Sequence, residues 1–190
     1  MNLPNKLTVL RIIMIPIFVA TYFITAIPFN YVISAAVFAL AAFTDFLDGH
    51  IARKYNLVTD LGKFLDPIAD KVLVSTALIV MLTSASNGAE ILPWYGSIAV
   101  AIILARELMI SGFRMVAASK GKVLAADKAG KIKTFTQDIA IVALLIGAEF
   151  QAGLYTPLNI VGLVILGVAT LLTVISGTEA IVKNAGVLKG

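Results

Sequence analysis

Residues 12–44, with the sequence IIMIPIFVATYFITAIPFNYVISAAVFALAAFT, contain no charged side chain. A transmembrane helix needs roughly 20 apolar residues, so this stretch is too long for a single crossing. A Pro-Phe-Asn sequence interrupts it at residues 28–30, and proline and its neighbours tend to end helices. The stretch therefore predicts two membrane-spanning helices that form a hairpin.

Two further stretches of the same kind follow towards the C-terminus. Residues 72–105 contain one charged residue, Glu90, and residues 139–178 contain only Glu149. The chain is 59% hydrophobic and 14% charged, whereas about a quarter of the residues in soluble domains are charged. Composition therefore excludes an ordinary soluble domain. We predict a single all-α domain over residues 1–190, a polytopic membrane protein of three helical hairpins, with six transmembrane helices at about 8–27, 31–52, 61–84, 93–118, 132–149 and 156–181.

The basic residues divide unevenly between the two ends of these hairpins. The connecting segments at 28–30, 85–92 and 150–155 contain no Lys or Arg. Because cytoplasmic ends of membrane helices carry an excess of Lys and Arg, we expect both termini and the active site on the cytoplasmic side of a bacterial cell membrane. Some of the lysines are equally explained as contacts to anionic lipid. The fifteen basic residues are Lys6, Arg11, Arg53, Lys54, Lys63, Lys71, Arg106, Arg114, Lys120, Lys122, Lys128, Lys131, Lys133, Lys183 and Lys189.

Aspartates crowd around the junction of the second and third predicted helices. Two of them are three residues apart and two are four apart, and on a helix each spacing places both side chains on one face. Like charges placed this way repel unless a cation compensates, and oxygen ligands without His or Cys suit Mg²⁺ or Mn²⁺. A structural ion-pair network with nearby basic residues is the alternative, and Asp60 is explained by a place at a helix N-terminus. We predict a site for two divalent cations held by Asp45, Asp48, Asp66 and Asp70.

These aspartates belong to a longer pattern, D-x2-D-G-x2-A-R-x8-G-x3-D-x3-D, over residues 45–70. The pattern resembles the signature of the CDP-alcohol phosphotransferases. The resemblance implies that the four aspartates coordinate two Mg²⁺ or Mn²⁺ ions and that Asp70 is also the catalytic base. It implies CDP-diacylglycerol as the donor, and donor-binding roles for Asn5, Thr8, Gly49, Arg53 and Thr59.

Secondary motifs at residues 2–11, 105–107, 111–114 and 130–134 resemble those of family members that use sn-glycerol 3-phosphate as the acceptor. A phosphorylated acceptor requires cations of its own, and four on the predicted cytoplasmic side are candidates: Arg106, Arg114, Lys131 and Lys133. Serine, inositol phosphate and phosphatidylglycerol remain alternative acceptors. A homodimer surrounded by membrane lipid is expected, with no nucleic-acid partner. A divalent-cation transporter is disfavoured, because such proteins place ionisable groups near the middle of their spans.

Overall fold

The structure, a computed structural model, describes residues 2–55, 59–83, 91–121, 128–150 and 157–187. Within these ranges, the side chains left undescribed are those of His50, Arg53, Asp60, Leu61, Lys63, Phe64, Lys128, Ala129 and Val187. The described chain is helical, which confirms the all-α prediction. Its α-helices are α1 (Leu3–Phe23), α2 (Asn30–Lys54), α3 (Asp60–Leu82), α4 (Trp94–Ser119), α5 (Lys128–Glu149) and α6 (Pro157–Lys183), followed by a 3₁₀ turn at Ala185–Val187.

Four of these helices are long and apolar enough to cross a membrane: Leu3–Phe23, Asn30–Gly49, Trp94–Ser119 and Pro157–Lys183. The other two, α3 and α5, carry several charged residues in their first halves. Charge at the centre of a span is costly, so hydropathy alone does not assign these two to the membrane. The structure thus confirms a membrane protein with four candidate spans, and the fifth and sixth spans stay a prediction.

The first helix was predicted with the wrong boundaries. It begins at Leu3 rather than near residue 8, because the Asn2 side chain caps it by accepting the N–H of Asn5 at 3.2 Å, and Pro4 suits a first turn. It also ends at Phe23, before the predicted residue 27. The predicted break at 28–30 is present, since the chain leaves the helical conformation before α2 begins at Asn30.

The packing of the helices departs from three simple hairpins. α1 packs along α2, and α5 packs along α6, as predicted. α3 and α4 share few contacts, because α3 packs mainly against α1 and α4 packs mainly against α6. The start of α3 therefore lies beside the start of α1, which brings together residues that are far apart in the sequence.

The bundle buries an aromatic cluster and exposes apolar side chains over its outer surface. Phe18 lies between Tyr22 and Phe38, with ring centroids about 6 Å apart, and all three rings are fully buried. Large outward-facing residues occur on most helices, which water would disfavour and lipid would accept. Examples are Ile13, Ile17, Leu40, Phe43, Ile79, Ile98, Leu108, Val164, Leu171 and Ile175.

Glu149, the one acid in residues 139–178, lies at the last position of α5. Its Oε2 accepts the backbone N–H of Tyr31, in the first turn of α2, at 2.9 Å. The first N–H groups of a helix have no partner within the helix, and a carboxylate there also interacts favourably with the helix dipole. This acid therefore ties the end of α5 to the beginning of α2.

Candidate active site

Arg11 lies in the polar interior of the bundle. Its side chain is fully buried on α1. Its Nη1 lies 2.8 Å from Oδ1 of Asp45, and its Nη2 donates to Oδ2 of Asp48 at 2.5 Å. Asp48 is nearly as buried as Arg11, whereas 43% of the Asp45 side chain is exposed. The guanidinium therefore offsets the repulsion between two carboxylates that share one face of α2.

The first two turns of α1 and α3 are joined by hydrogen bonds. Thr8 donates from Oγ1 to Oδ1 of Asp66 at 2.6 Å. Thr59, the N-cap of α3, donates to Oδ1 of Asn5 at 2.9 Å and accepts the N–H of Gly62 at 3.0 Å. A Cβ at Gly62 would lie 2.9 Å from Oδ1 of Asn5, so a residue without a side chain permits this approach. The structure thus brings three predicted donor-binding residues beside a predicted metal ligand.

The four predicted metal ligands lie on adjacent helices, Asp45 and Asp48 on α2 and Asp66 and Asp70 on α3. Their charges act on one another, since Asp48 is repelled by Asp45 and Asp66, and Asp70 is repelled by Asp45. This set of oxygen donors fits a hard divalent cation by its chemistry. Among the residues that the structure describes, no three carboxylates lie close enough to hold one ion. In the described chain, Arg11 of α1 supplies the positive charge beside Asp45 and Asp48 of α2.

A second polar cluster joins α4, α5 and α6. Glu107 Oε1 accepts from Nζ of Lys133, which is buried, and lies 3.0 Å from Nη1 of Arg106. Arg106 also donates from Nη2 to Oγ of Ser176 at 2.8 Å. Its side chain lies against Gly177, where a Cβ would approach Cγ of the arginine to 2.9 Å. One carboxylate therefore positions two of the four predicted acceptor cations.

Asp70 connects the two clusters. It lies within electrostatic range of Asp45 and Arg11 in the first cluster and of Glu107 and Lys133 in the second. Together with Lys133 and Glu107 it lines a small cavity between α3, α4 and α5. The predicted base therefore lies where a group held by the second cluster could meet a group held by the first.

The remaining predicted residues are less closely grouped. Gly49 is partly buried on α2, and the Arg53 side chain lies outside the described residues. Arg114 and Lys131 are exposed, in contrast to Lys133. Arg114 remains close enough to Lys71 to repel it electrostatically. Of the four predicted acceptor cations, the structure therefore places Arg106 and Lys133 on one shared carboxylate.

Arg11 and Gln137 were not among the predicted site residues. Both are almost completely buried. A signal for Arg11 was available, because Asn5, Thr8 and Arg11 recur at spacings of three and place their polar groups on one face of α1. Gln137 lies four residues after Lys133 and so shares its face of α5. The first spacing does not identify Asp45 and Asp48 as the partners of Arg11, and the second does not reveal that Gln137 lines a cavity.

These features define an all-helical membrane protein with four aspartates on two adjacent helices and a neighbouring cluster of paired cations. Over residues 1–175 the chain matches the CDP-alcohol phosphatidyltransferase family. The chain belongs to this family, and it is a transferase.

Several curated relatives match most of the chain. It is 43% identical over 176 residues to a CDP-diacylglycerol–glycerol-3-phosphate 3-phosphatidyltransferase of Rickettsia bellii, covering 93% of this chain and 91% of the relative. A protein of the same name from Bacillus subtilis is 40% identical, covering 99% and 97%. A probable phosphatidylglycerophosphate synthase of Mycobacterium tuberculosis is 37% identical, covering 96% and 81%.

Proposed function

We propose that this chain transfers the phosphatidyl group of CDP-diacylglycerol to sn-glycerol 3-phosphate, releasing CMP and forming phosphatidylglycerol phosphate. The family and the names of relatives that match nearly the whole chain support this function. The main structural support for the proposal is the position of Asp70, between the other three aspartates and the cluster of cations around Glu107. Transfer from an anionic donor to an anionic acceptor requires both substrates to be held against their mutual repulsion.

The reaction requires one proton to be removed and one phosphorus–oxygen bond to be exchanged. The acceptor hydroxyl oxygen forms a bond to the β-phosphorus of the donor, and the bond to the bridging oxygen breaks, so that CMP leaves. Asp70 takes the hydroxyl proton, since it lies at the cavity between the clusters and general-base catalysis needs hydrogen-bonding reach. Arg106 and Lys133 hold the acceptor phosphate, positioned by Glu107.

Two Mg²⁺ or Mn²⁺ ions are part of the proposal, held by Asp45, Asp48, Asp66 and Asp70. When bound, they supply positive charge that offsets the charge of the donor's two phosphates. On the protein's side, Thr8 orients Asp66 through its hydrogen bond, and Arg11 orients the two carboxylates of α2. Asn5, Gly49, Arg53 and Thr59 are proposed to line the CDP moiety of the donor.

We further propose that α3 and α5 also cross the membrane, which gives six spans with both termini and the site on the cytoplasmic side. The charge distribution supports this topology, because the predicted outer segments contain no Lys or Arg. The charges of α3 and α5 are compatible with a span when they face other helices, as Lys133 does in its pair with Glu107. We also propose that two copies of the chain form a homodimer in a bacterial cell membrane.

CMP release provides a direct test of this function. Purified protein receives CDP-diacylglycerol together with sn-glycerol 3-phosphate, serine, inositol phosphate or phosphatidylglycerol. We expect CMP and a new lipid only with sn-glycerol 3-phosphate, and we expect chelation of divalent cations to stop the reaction until Mg²⁺ or Mn²⁺ is restored. Turnover with another acceptor alone would reassign the acceptor, and full turnover in chelator would refute the metal site.

Arg106→Ala should raise the Michaelis constant for sn-glycerol 3-phosphate more than that for CDP-diacylglycerol. The truncation removes a cation that is held next to Lys133 by Glu107 and Ser176. A lost charge-assisted hydrogen bond is worth roughly 1.5–3 kcal/mol, which corresponds to a rise of about 10–100-fold. Steady-state kinetics with each substrate varied in turn measures the two constants.

Lys183→Ala is the matched control, because Lys183 forms an exposed pair with Glu179 on α6. Exposed pairs contribute little, so neither Michaelis constant should change appreciably. Equal increases for both substrates in the Arg106 variant would instead assign that arginine a general structural role.

A further inference from the structure

Gln137 is a buried amide at the cavity between α3, α4 and α5. Its side chain is 1% exposed. The cavity measures about 20 Å³, and its lining includes Asp70 from α3, Glu107 from α4, and Lys133 and Gln137 from α5. Space of this size holds one water molecule or one group of similar size, such as a hydroxyl. The amide therefore borders a small space that has polar side chains from three helices on its walls and room for one small group.

Neither Nε2 nor Oε1 of Gln137 has a hydrogen-bond partner among the residues that the structure describes. Buried polar groups are almost always paired, and an unpaired donor or acceptor destabilises the folded state. Methionine has nearly the same length and would fill the position without that penalty. An unpaired donor and acceptor on one side chain, next to a cavity and to the proposed base, indicate a partner that the described chain does not supply.

The chemistry of the acceptor identifies which of its groups needs this amide. The proposed function gives the phosphate to Arg106 and Lys133, and the reacting terminal hydroxyl to Asp70. Only the central hydroxyl of sn-glycerol 3-phosphate then has no assigned protein group. This hydroxyl is uncharged, and it can both donate and accept a hydrogen bond. A neutral carboxamide matches it, because Oε1 accepts and Nε2 donates.

We propose that Gln137 binds the central, non-reacting hydroxyl of the acceptor and is a specificity-determining residue of this transferase. The inference rests on the proposed function, because it assumes a glycerol phosphate acceptor. A site built to hydrogen-bond a substrate hydroxyl discriminates against the analogue that lacks it, since its own polar groups then stay unpaired. Gln137 thereby distinguishes glycerol 3-phosphate from 3-hydroxypropyl phosphate, which has no central hydroxyl.

The test compares kcat/KM for these two acceptors in the wild-type protein and in Gln137→Met. The wild type should prefer sn-glycerol 3-phosphate by about 10–100-fold, the range expected for hydrogen bonds to a buried polar group. The variant should lose most of that preference through a lower kcat/KM for sn-glycerol 3-phosphate alone. Its melting temperature should stay the same or rise, because an unpaired amide has been removed.

Thr136→Val is the matched control on the same helix, because Thr136 donates to the Ile132 carbonyl and lies outside the cavity lining. This control should keep the wild-type preference. A wild-type protein that uses both acceptors equally would overturn the inference, whether or not the methionine variant folds. So would a methionine variant that keeps the full preference or loses activity equally on both acceptors. If wild-type protein releases CMP with neither compound but does so with another alcohol, the proposed function itself fails.

Discussion

Asp70→Asn should reduce CMP release by at least about 10³-fold, because general-base catalysis alone contributes 10²–10⁴-fold and the same carboxylate is a proposed metal ligand. Asparagine matches the shape of aspartate but does not accept the proton at neutral pH. Asp70 borders a cavity and forms no salt bridge in the described chain. The substitution should therefore leave folding intact, and initial rates in matched amounts of purified protein measure the effect.

Two controls make this result interpretable. Glu179→Gln removes an acidic charge from the exposed pair with Lys183 on α6 and should retain near wild-type rates. The Asp70 variant should reach the membrane in normal amounts and melt near the wild-type temperature. Turnover at the wild-type rate would eliminate the proposed base, and a loss of folded protein would show that Asp70 acts through structure.

Arg11→Met should destabilise the metal-free protein by about 3–5 kcal/mol, the cost of removing one partner from a buried ion pair. Arg11 and Asp48 are both buried, so the aspartate would remain without its cation and close to Asp45. For a chain of this size, such a loss lowers the melting temperature by on the order of 10 °C. Thermal unfolding in chelator measures the change. Added Mg²⁺ should restore part of the loss in the variant.

A double-mutant cycle separates charge from packing in this prediction. Asp48→Asn in the Arg11→Met background removes the buried charge that was left unpaired, so the double variant should be more stable than the single arginine variant. Asp45→Asn should restore less, because Asp45 is partly exposed and water screens its charge. A methionine variant as stable as the wild type in chelator would show that the arginine pair contributes nothing to folding.

Most of the fold followed from the sequence because apolar runs and their breaks are local signals. Residues 12–44 predicted two helices and a turn, and the structure has both helices. The start of α1 was missed because Asn2 and Pro4 act through capping, which hydropathy does not register. The pairing of α4 with α6 depends on which faces fit together, and helix length carries no information about that.

The candidate site was predictable where the residues that form it are neighbours on one helix. The spacing of Asp45 with Asp48, and of Asp66 with Asp70, follows from helical geometry. The pair of Arg11 with Asp48 joins residues 37 positions apart, and a sequence spacing does not encode such a contact. Likewise, Glu107 is next to Arg106 in the sequence, whereas its pair with Lys133 joins residues 26 positions apart and depends on how α5 lies relative to α4.

The hydrogen bond from Tyr31 to Glu149 fixes the axial register of α5 against α2. Glu149 lies twelve residues beyond Gln137, a separation of about 18 Å along a helix. A slip of α5 by a single residue would displace Lys133 and Gln137 by about 1.5 Å and rotate them by roughly 100°, away from Asp70. The alignment of the acceptor's ligands with the base therefore depends on an anchor at the opposite end of the bundle.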